Sequence, residues 1–383
     1  MEFVDAYRDA ALADGLSARI AQQAMPGRRY RLMEFCGGHT HAIARHGLAD
    51  RLPGTIELIH GPGCPVCVLP VGRIDQAIRM AIEHRVVLCS YGDAIRVPGS
   101  ARMSLQRARS EGADVRIVYS PLDALAIAEA HPEREVVMFA IGFETTTAPA
   151  AASVVQAQAR GLRNYSLLAN PMLTPAAMGA IVAGPSGSRI DGFIGPAHVS
   201  TVIGSRPYER FAREHRKPVV IAGFEPLDLL LAIERLIVQL NEGRAEVDNA
   251  FPRAVLADGN RRAIELIDRV FELRESYEWR GLGTLPASAL QIRPAFASFD
   301  AERRHPVPYR AIADHKACEC AAVLRGEIHP EQCRIFGTGC TPSHPIGACM
   351  VSAEGACAAH FRYGRFRRSA DGVTASTPSE LAQ

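Results

Sequence analysis

Short apolar runs rich in β-branched residues recur along the chain, each ending in a glycine- or proline-rich loop and each followed by apolar residues at helical spacing. The first four are Tyr30–Phe35, Thr55–Ile59, Val86–Ser90 and Val115–Tyr119. The next four are Glu135–Ile141, Tyr165–Ala169, Asp191–Ile194 and Pro218–Ala222. Within each set the starts step by about 25 to 31 residues, the spacing of βα units, and unbroken apolar strands belong to parallel sheets covered on both faces. Between them, Pro70–Arg85, Arg102–Gly112, Leu122–His131, Thr146–Gly161, Arg206–His215 and Pro226–Glu242 carry apolar residues at i, i+3 and i+4 and predict helices. Two successive sets of four strands predict two similar α/β domains, over residues 1–125 and 126–250. A helix over Asn260–Tyr277 then leads into WRGLGTLPASALQIRPAF, a glycine- and proline-rich boundary, so residues 251–364 divide into a helical linker and a cysteine-rich domain. Residues 365–383, basic at first and then small and polar, predict a disordered tail.

The periodicity fails between Cys318 and Cys357, where Cys318, Cys320, Cys333, Cys340, Cys349 and Cys357 are interleaved with glycine and proline. A segment without its own helical or strand pattern is organised by something else, and thiolates on a metal are the leading reading, with disulfides as the alternative. Composition favours the first. The chain opens on an amphipathic helical pattern rather than a secretory leader, and no apolar run approaches the roughly 20 residues needed to span a bilayer. These features predict a cytoplasmic protein, in which ten cysteines act as ligands or redox groups. With 43 basic and 41 acidic side chains, no strong field points to nucleic acid or to an anionic membrane. Four thiolates suit tetrahedral zinc or an iron–sulfur cluster, and six leave two over. Neither a dinucleotide fingerprint nor a P-loop is present.

Every unusual motif follows a predicted strand, at the edge where open parallel sheets bind ligands. Cys36-Gly-Gly-His-Thr-His41 follows the first strand, and His60-Gly-Pro-Gly-Cys64-Pro-Val-Cys67 follows the second. Cys36 beside two glycines, His39 and His41 predicts a reactive or metal-binding thiol. If the stretch is extended, at most one of the two histidines faces the same site. Cys64 and Cys67 ahead of a helix predict a redox dithiol or a metal pair, whereas Cys89 within an apolar strand is read as core. Asp93, Glu144, His198 and Glu225 are the polar residues best placed to face the cleft, against the plainer roles of helix cap or turn brace.

The motifs CGGHTH, GPGCPVC, SYGDAIRVPGS, GFETTTAP, GPAHVSTVIG and GTGCTPSHPIGACMVSAEGACAAHFRYG resemble the HypD family of nickel–iron hydrogenase maturation proteins, from about Met33 to Gly364. The resemblance implies an α/β fold of two similar Rossmann-like parallel-sheet domains plus a small cysteine-rich iron–sulfur domain. It implies a scaffold that, with a HypC-type small chaperone, holds a transiently bound iron while cyanide and carbon monoxide are attached, a HypE-type protein being the cyanide donor. Cys36 would ligate that iron, with Cys64 and Cys67 as the nearby thiol pair. Cys318, Cys333, Cys340 and Cys357 would hold a 4Fe–4S cluster, with Cys320 and Cys349 as an adjacent redox pair, as in surroundings similar to those of ferredoxin–thioredoxin reductase. Electrons would pass from the cluster through Cys320 and Cys349 to Cys64 and Cys67, and His39, His41 and Glu225 would supply protons or hydrogen bonds. Two other readings of the same thiols are an iron–sulfur-dependent protein disulfide reductase and a zinc-stabilised interaction module.

Overall fold

The computed structural model describes residues 6–185 and 187–364; the expected tail lies outside the described residues. Nine strands build two parallel sheets. They are β1 (Tyr30–Glu34), β2 (Ile56–His60), β3 (Val87–Ser90), β4 (Val115–Ile117), β5 (Val136–Gly142), β6 (Tyr165–Pro171), β7 (Gly192–Gly195), β8 (Val219–Ile221) and β9 (Val247–Asn249). The first sheet runs β2–β1–β7–β8–β9 and the second β4–β3–β5–β6, with every pairing parallel.

β1 to β8 lie where their apolar runs predict them, β9 follows no such run and was not expected, and the grouping differs. The first sheet takes β1 and β2, then waits for β7 to β9, while β3 to β6 form the second sheet without interruption. A division at residue 125 would therefore fall between β4 and β5, within one sheet. The register explains the return: β1 pairs on one side with β2, Met33 opposite Ile59, and on the other with β7, Met33 opposite Phe193. Spacing along the chain measures the length of a βα unit and carries no information on which strand will be the neighbour.

Helices cover the sheets: α1 (Ala10–Gln23), α2 (Gly37–His46), α3 (Val71–Glu83), α4 (Leu105–Ser110), α5 (Pro121–Ala130), α6 (Glu144–Ala159), α7 (Thr174–Ala183), α8 (Ala197–Ile203), α9 (Pro207–His215), α10 (Pro226–Asn241), α11 (Arg261–Val270), α12 (Cys320–Leu324) and α13 (Ala356–Tyr363). Among the described residues no helix is long and apolar enough to cross a membrane. Alternate strand residues enter different cores: Val137, Phe139 and Ile141 of β5 join one, Val136, Met138 and Ala140 another. Both faces are dry, which is why the strands show no polar alternation. The first of these cores is shared by both sheets and by Cys320, Cys340, Cys349 and Cys357, so the cysteine-rich segment is packed on the sheets and not appended to them.

The boundary stretch is more ordered than its composition suggests. The helix expected to Tyr277 stops at Val270, and four short strands follow: β10 (Phe271–Leu273), β11 (Ser276–Trp279), β12 (Gly283–Pro286) and β13 (Leu290–Ile292). They pair as two antiparallel ribbons, β10 with β13 and β11 with β12. Gly281 and Gly283 adopt positive φ at the turn, and Trp279 is buried with its indole N–H donating to Ser288 Oγ at 3.0 Å.

Candidate metal and redox centre

Cys36 lies two residues past the end of β1 and holds the N-cap position of α2, which begins at the next residue. Its amide donates to Glu34 Oε2 at 2.9 Å, and its carbonyl accepts from the amides of His39 and Thr40. Glu34 is wholly buried and is the hub of the loop: Thr40 Oγ1 donates to Oε1, and His60 Nδ1, 2.9 Å away, donates to the same oxygen. His60 continues the chain through its Nε2, 2.6 Å from His360 Nε2, and His360 in turn bonds Glu331. One hydrogen-bonded path thus joins the Cys36 loop to helix α13. The Cys36 thiol lies 3.6 Å from His198 Nδ1 at the start of α8. Burial pushes that thiol up to about 12, against the lowering effect of the His198 contact. Burial and the neighbouring Asp93 and Glu34 raise Glu354, which packs over Gly37. Such a thiol stays protonated until a cation draws near, so metal loading would release a proton.

The Cys64–Cys67 loop lies against this one. Gly37 N–H donates to Gly63 carbonyl at 3.0 Å, and a Cβ on Gly63 would fall on the backbone of Cys36, which is why glycine stands there. Cys64 and Cys67 form a disulfide with Cα atoms 5.2 Å apart, closing the first turn of a short helix that has Pro65 at its start. On its other side, Cys67 Sγ is 4.0 Å from the carbonyl of Ala348, the residue before Cys349.

The six C-terminal cysteines are carried by loops and two short helices. The Cys320 thiol at the start of α12 neighbours those of Cys318, Cys349 and Cys357. Gly347 packs on the sulfurs of Cys318 and Cys320. Cys340 Sγ accepts from the amide of Ile346 at 3.3 Å, and Cys333 neighbours Glu319. Cys320, Cys340, Cys349 and Cys357 are buried, Cys318 and Cys333 partly so. Among the described residues no three His, Cys, Asp or Glu side chains converge on a point for a single ion. The donor chemistry here is instead soft thiolate, shielded from water and with a backbone N–H aimed at sulfur, which fits an iron–sulfur cluster.

Of the histidines expected near Cys36, neither touches the thiol. His39 is buried in α2, with Nε2 donating to the Ala222 carbonyl at 3.1 Å, and burial lowers its pKa so that it stays neutral. His41 points toward the cysteine-rich segment, 3.4 Å from the Ala353 carbonyl and 3.3 Å from the Tyr363 hydroxyl. Because the CGGHTH stretch is helical, i and i+2 diverge by about 200°, and the two rings part. Glu225 caps α10, and its carboxylate is held by the Arg8 guanidinium. The residues that surround the thiol are Glu34, His198 and Glu354. Of these, His198 was visible as an isolated histidine after a strand, while Glu34, inside an apolar strand, gave no signal beyond being charged where charge is costly.

Residues 11–364 match the HypD family, described as the hydrogenase formation hypA family. The chain is 60% identical over 374 residues to the hydrogenase expression/formation protein HupD of Azotobacter chroococcum, covering 97% of this chain and 99% of that one. It is 60% identical to the hydrogenase maturation factor HypD of Azotobacter vinelandii, over 96% and 98% of the two chains. The HypD of Escherichia coli is 43% identical, over 95% and 98%.

Proposed function

Because the chain belongs to the HypD family of hydrogenase maturation factors, we propose that it is the scaffold on which an iron bearing two cyanides and one carbon monoxide is assembled for a nickel–iron hydrogenase. It acts in the cytoplasm, in a maturation complex with a HypC-type small chaperone that shares the iron and a HypE-type cyanide donor. The observation that carries this reading is the contiguity of three thiol groups. Cys36 is backed by Gly63, one residue before the Cys64–Cys67 disulfide, and Cys67 touches Ala348, one residue before Cys349.

We assign the iron to Cys36, with Cys64 and Cys67 beside it, and a 4Fe–4S cluster to Cys318, Cys333, Cys340 and Cys357. When bound, that cluster supplies single electrons. Cys320 and Cys349 form the redox pair. Attack by the Cys349 thiolate on the Cys64–Cys67 disulfide gives a mixed disulfide, and Cys320 resolves it. The exchange leaves Cys64 and Cys67 as thiols and Cys320 and Cys349 oxidised, two electrons and two protons having moved. Two successive electrons from an external one-electron donor protein, with two protons, then return the pair to thiols. Soft thiolate from Cys36 suits low-spin iron with diatomic ligands. His198 faces that sulfur and can take its proton as the iron arrives.

The test is an infrared spectrum of the protein purified anaerobically with its small partner, in the cyanide and carbon monoxide stretching region. Bands present in the natural protein and absent from Cys36→Ala, with the cluster absorption of that variant intact, are the expected result. No bands from protein that carries its cluster, or bands that persist in the variant, would overturn the assignment.

A further inference from the structure

Beside the cysteine cluster, and away from Cys36, lies a recess of about 470 Å³ between the loop after β3, the N-terminal end of α3, the segment before Cys318 and the segment between Cys340 and Cys349. Its chemistry is cationic. Arg96, Arg102 and Arg280 line it against a single carboxylate, Asp314. Arg280 stands in the wall between this recess and a smaller one of about 220 Å³, with its side chain only 2% exposed. Two of its three guanidinium nitrogens are engaged: Nε donates to the Leu69 carbonyl at 2.9 Å, and Nη1 lies 3.4 Å from Asp314 Oδ1. The third, Nη2, is buried without a hydrogen-bond partner. A buried guanidinium donor left unpaired is costly, and such a site is held for an acceptor that comes from outside the fold.

The rim supports the same conclusion. Ala101 and Arg102 both adopt left-handed backbone, with φ of 51° and 58°, a conformation that non-glycine residues rarely take. Ser100 N–H is pinned to Asp75 Oδ1 at 2.8 Å, so the loop is fixed in the form that lines the recess with Arg102. Arg96 donates one nitrogen to the Val351 carbonyl at 2.8 Å and also lines the recess.

We propose that this recess binds a small anionic molecule through an oxyanion group, carboxylate or phosphate, anchored on Arg280 and closed at the rim by Arg96 and Arg102. The volume is that of a metabolite-sized ligand, and guanidinium groups are the usual partners of both oxyanions. The ligand is free in solution rather than a side chain of a docked protein, because Arg280 lies too deep for a carboxylate carried on a folded surface. Occupancy is felt at the cluster. The same walls hold its cysteines: the His315 carbonyl accepts from Cys318 N–H at 2.8 Å, and Ile346 N–H donates to Cys340.

The test is calorimetric titration of the full chain, purified anaerobically, with inorganic phosphate and separately with citrate, at constant ionic strength set by chloride. Saturable binding of at least one probe is expected, weakened about tenfold or more by Arg102→Gln and abolished by Arg280→Met. Arg102 lies on the rim outside the buried framework, so the Arg102→Gln result stands even if Arg280→Met does not fold. A second readout is a shift of the cluster absorption on saturation with the bound probe. Absence of saturable heat with both probes, or binding indifferent to Arg102→Gln, would overturn the proposal. Neither readout depends on iron assembly, so failure of the scaffold reading leaves the anion site standing, and the reverse holds.

Discussion

Glu34 receives three donors in a place without water: the Cys36 amide, the Thr40 hydroxyl and the His60 ring. Truncation to alanine strands all three, and Glu34→Ala should cost about 2–4 kcal/mol in urea unfolding, while Glu34→Gln, which keeps the shape and one acceptor, should cost less. If both substitutions cost the same, the carboxylate is not the hub. Gly63→Ala is the complementary experiment. Its Cβ would collide with the Cys36 backbone and separate the two thiol loops, so the infrared bands should be lost in protein whose secondary structure is retained. Cys89 serves as the control. It is fully buried among Val87, Met138 and Leu125, and burial pushes its thiol up to about 12. Cys89→Ala should leave iron assembly and the cluster unchanged and lower stability by about 1 kcal/mol, and a loss of assembly in that variant would show that a tenth cysteine had been misjudged.

At the scale of elements, β5 is the central test of why the strands were legible in the sequence. All seven of its residues are buried, with Phe139 facing the core that both sheets share. Phe139→Ala should therefore cost about 3–5 kcal/mol by denaturant unfolding; a cost under 1 kcal/mol would mean that the shared core is not continuous there. Runs such as VVMFAI announce themselves because burial on both faces removes every polar residue. The helices α3, α5, α6, α9 and α10 were legible to within a few residues because apolar residues recur in them at i, i+3 and i+4. What the chain hid depends on distance. No local pattern tells β2 that its sheet will resume at β7. The ribbon pairs β10–β13 and β11–β12 were hidden by Gly281, Gly283 and Pro286, which mark turns in one context and boundaries in another. The start of α2 directly after Cys36 was masked by two glycines with low helix propensity, overridden by packing. For the same reason the partner of the Cys36 thiol, His198, lies 162 residues away and became evident only as a neighbour in space.

For the whole molecule, Glu302 acts as a clamp between parts that are remote in sequence. Its two oxygens lie 2.6 Å from Arg73 of α3 and 2.6 Å from Arg274 after β10. Burial pushes the Glu302 carboxyl up, but Arg73 and then Arg274 outweigh it and hold it at about 2. The folded state therefore binds this proton less readily than the unfolded chain, whose glutamates titrate at about 4.3. The clamp contributes fully above that value and is lost as the pH falls toward 2, an effect of at most about 3 kcal/mol. Unfolding free energies measured at pH 7, 4.5 and 3 should fall more steeply in the natural protein than in Glu302→Gln, which should already be weaker at pH 7; parallel pH profiles would discount the clamp. The interrupted first sheet has a consequence for timing. A ribosome that has released β1, β2 and the loop after β2 has already exposed Cys36, Cys64 and Cys67, yet β7, His198 and the segment from Ala348 to His360 are still to be made. For most of synthesis these thiols have no walls. The site can exist only after nearly the whole chain is out, so its filling is necessarily a post-translational event, and the nascent thiols must be kept from oxidant and stray metal until then.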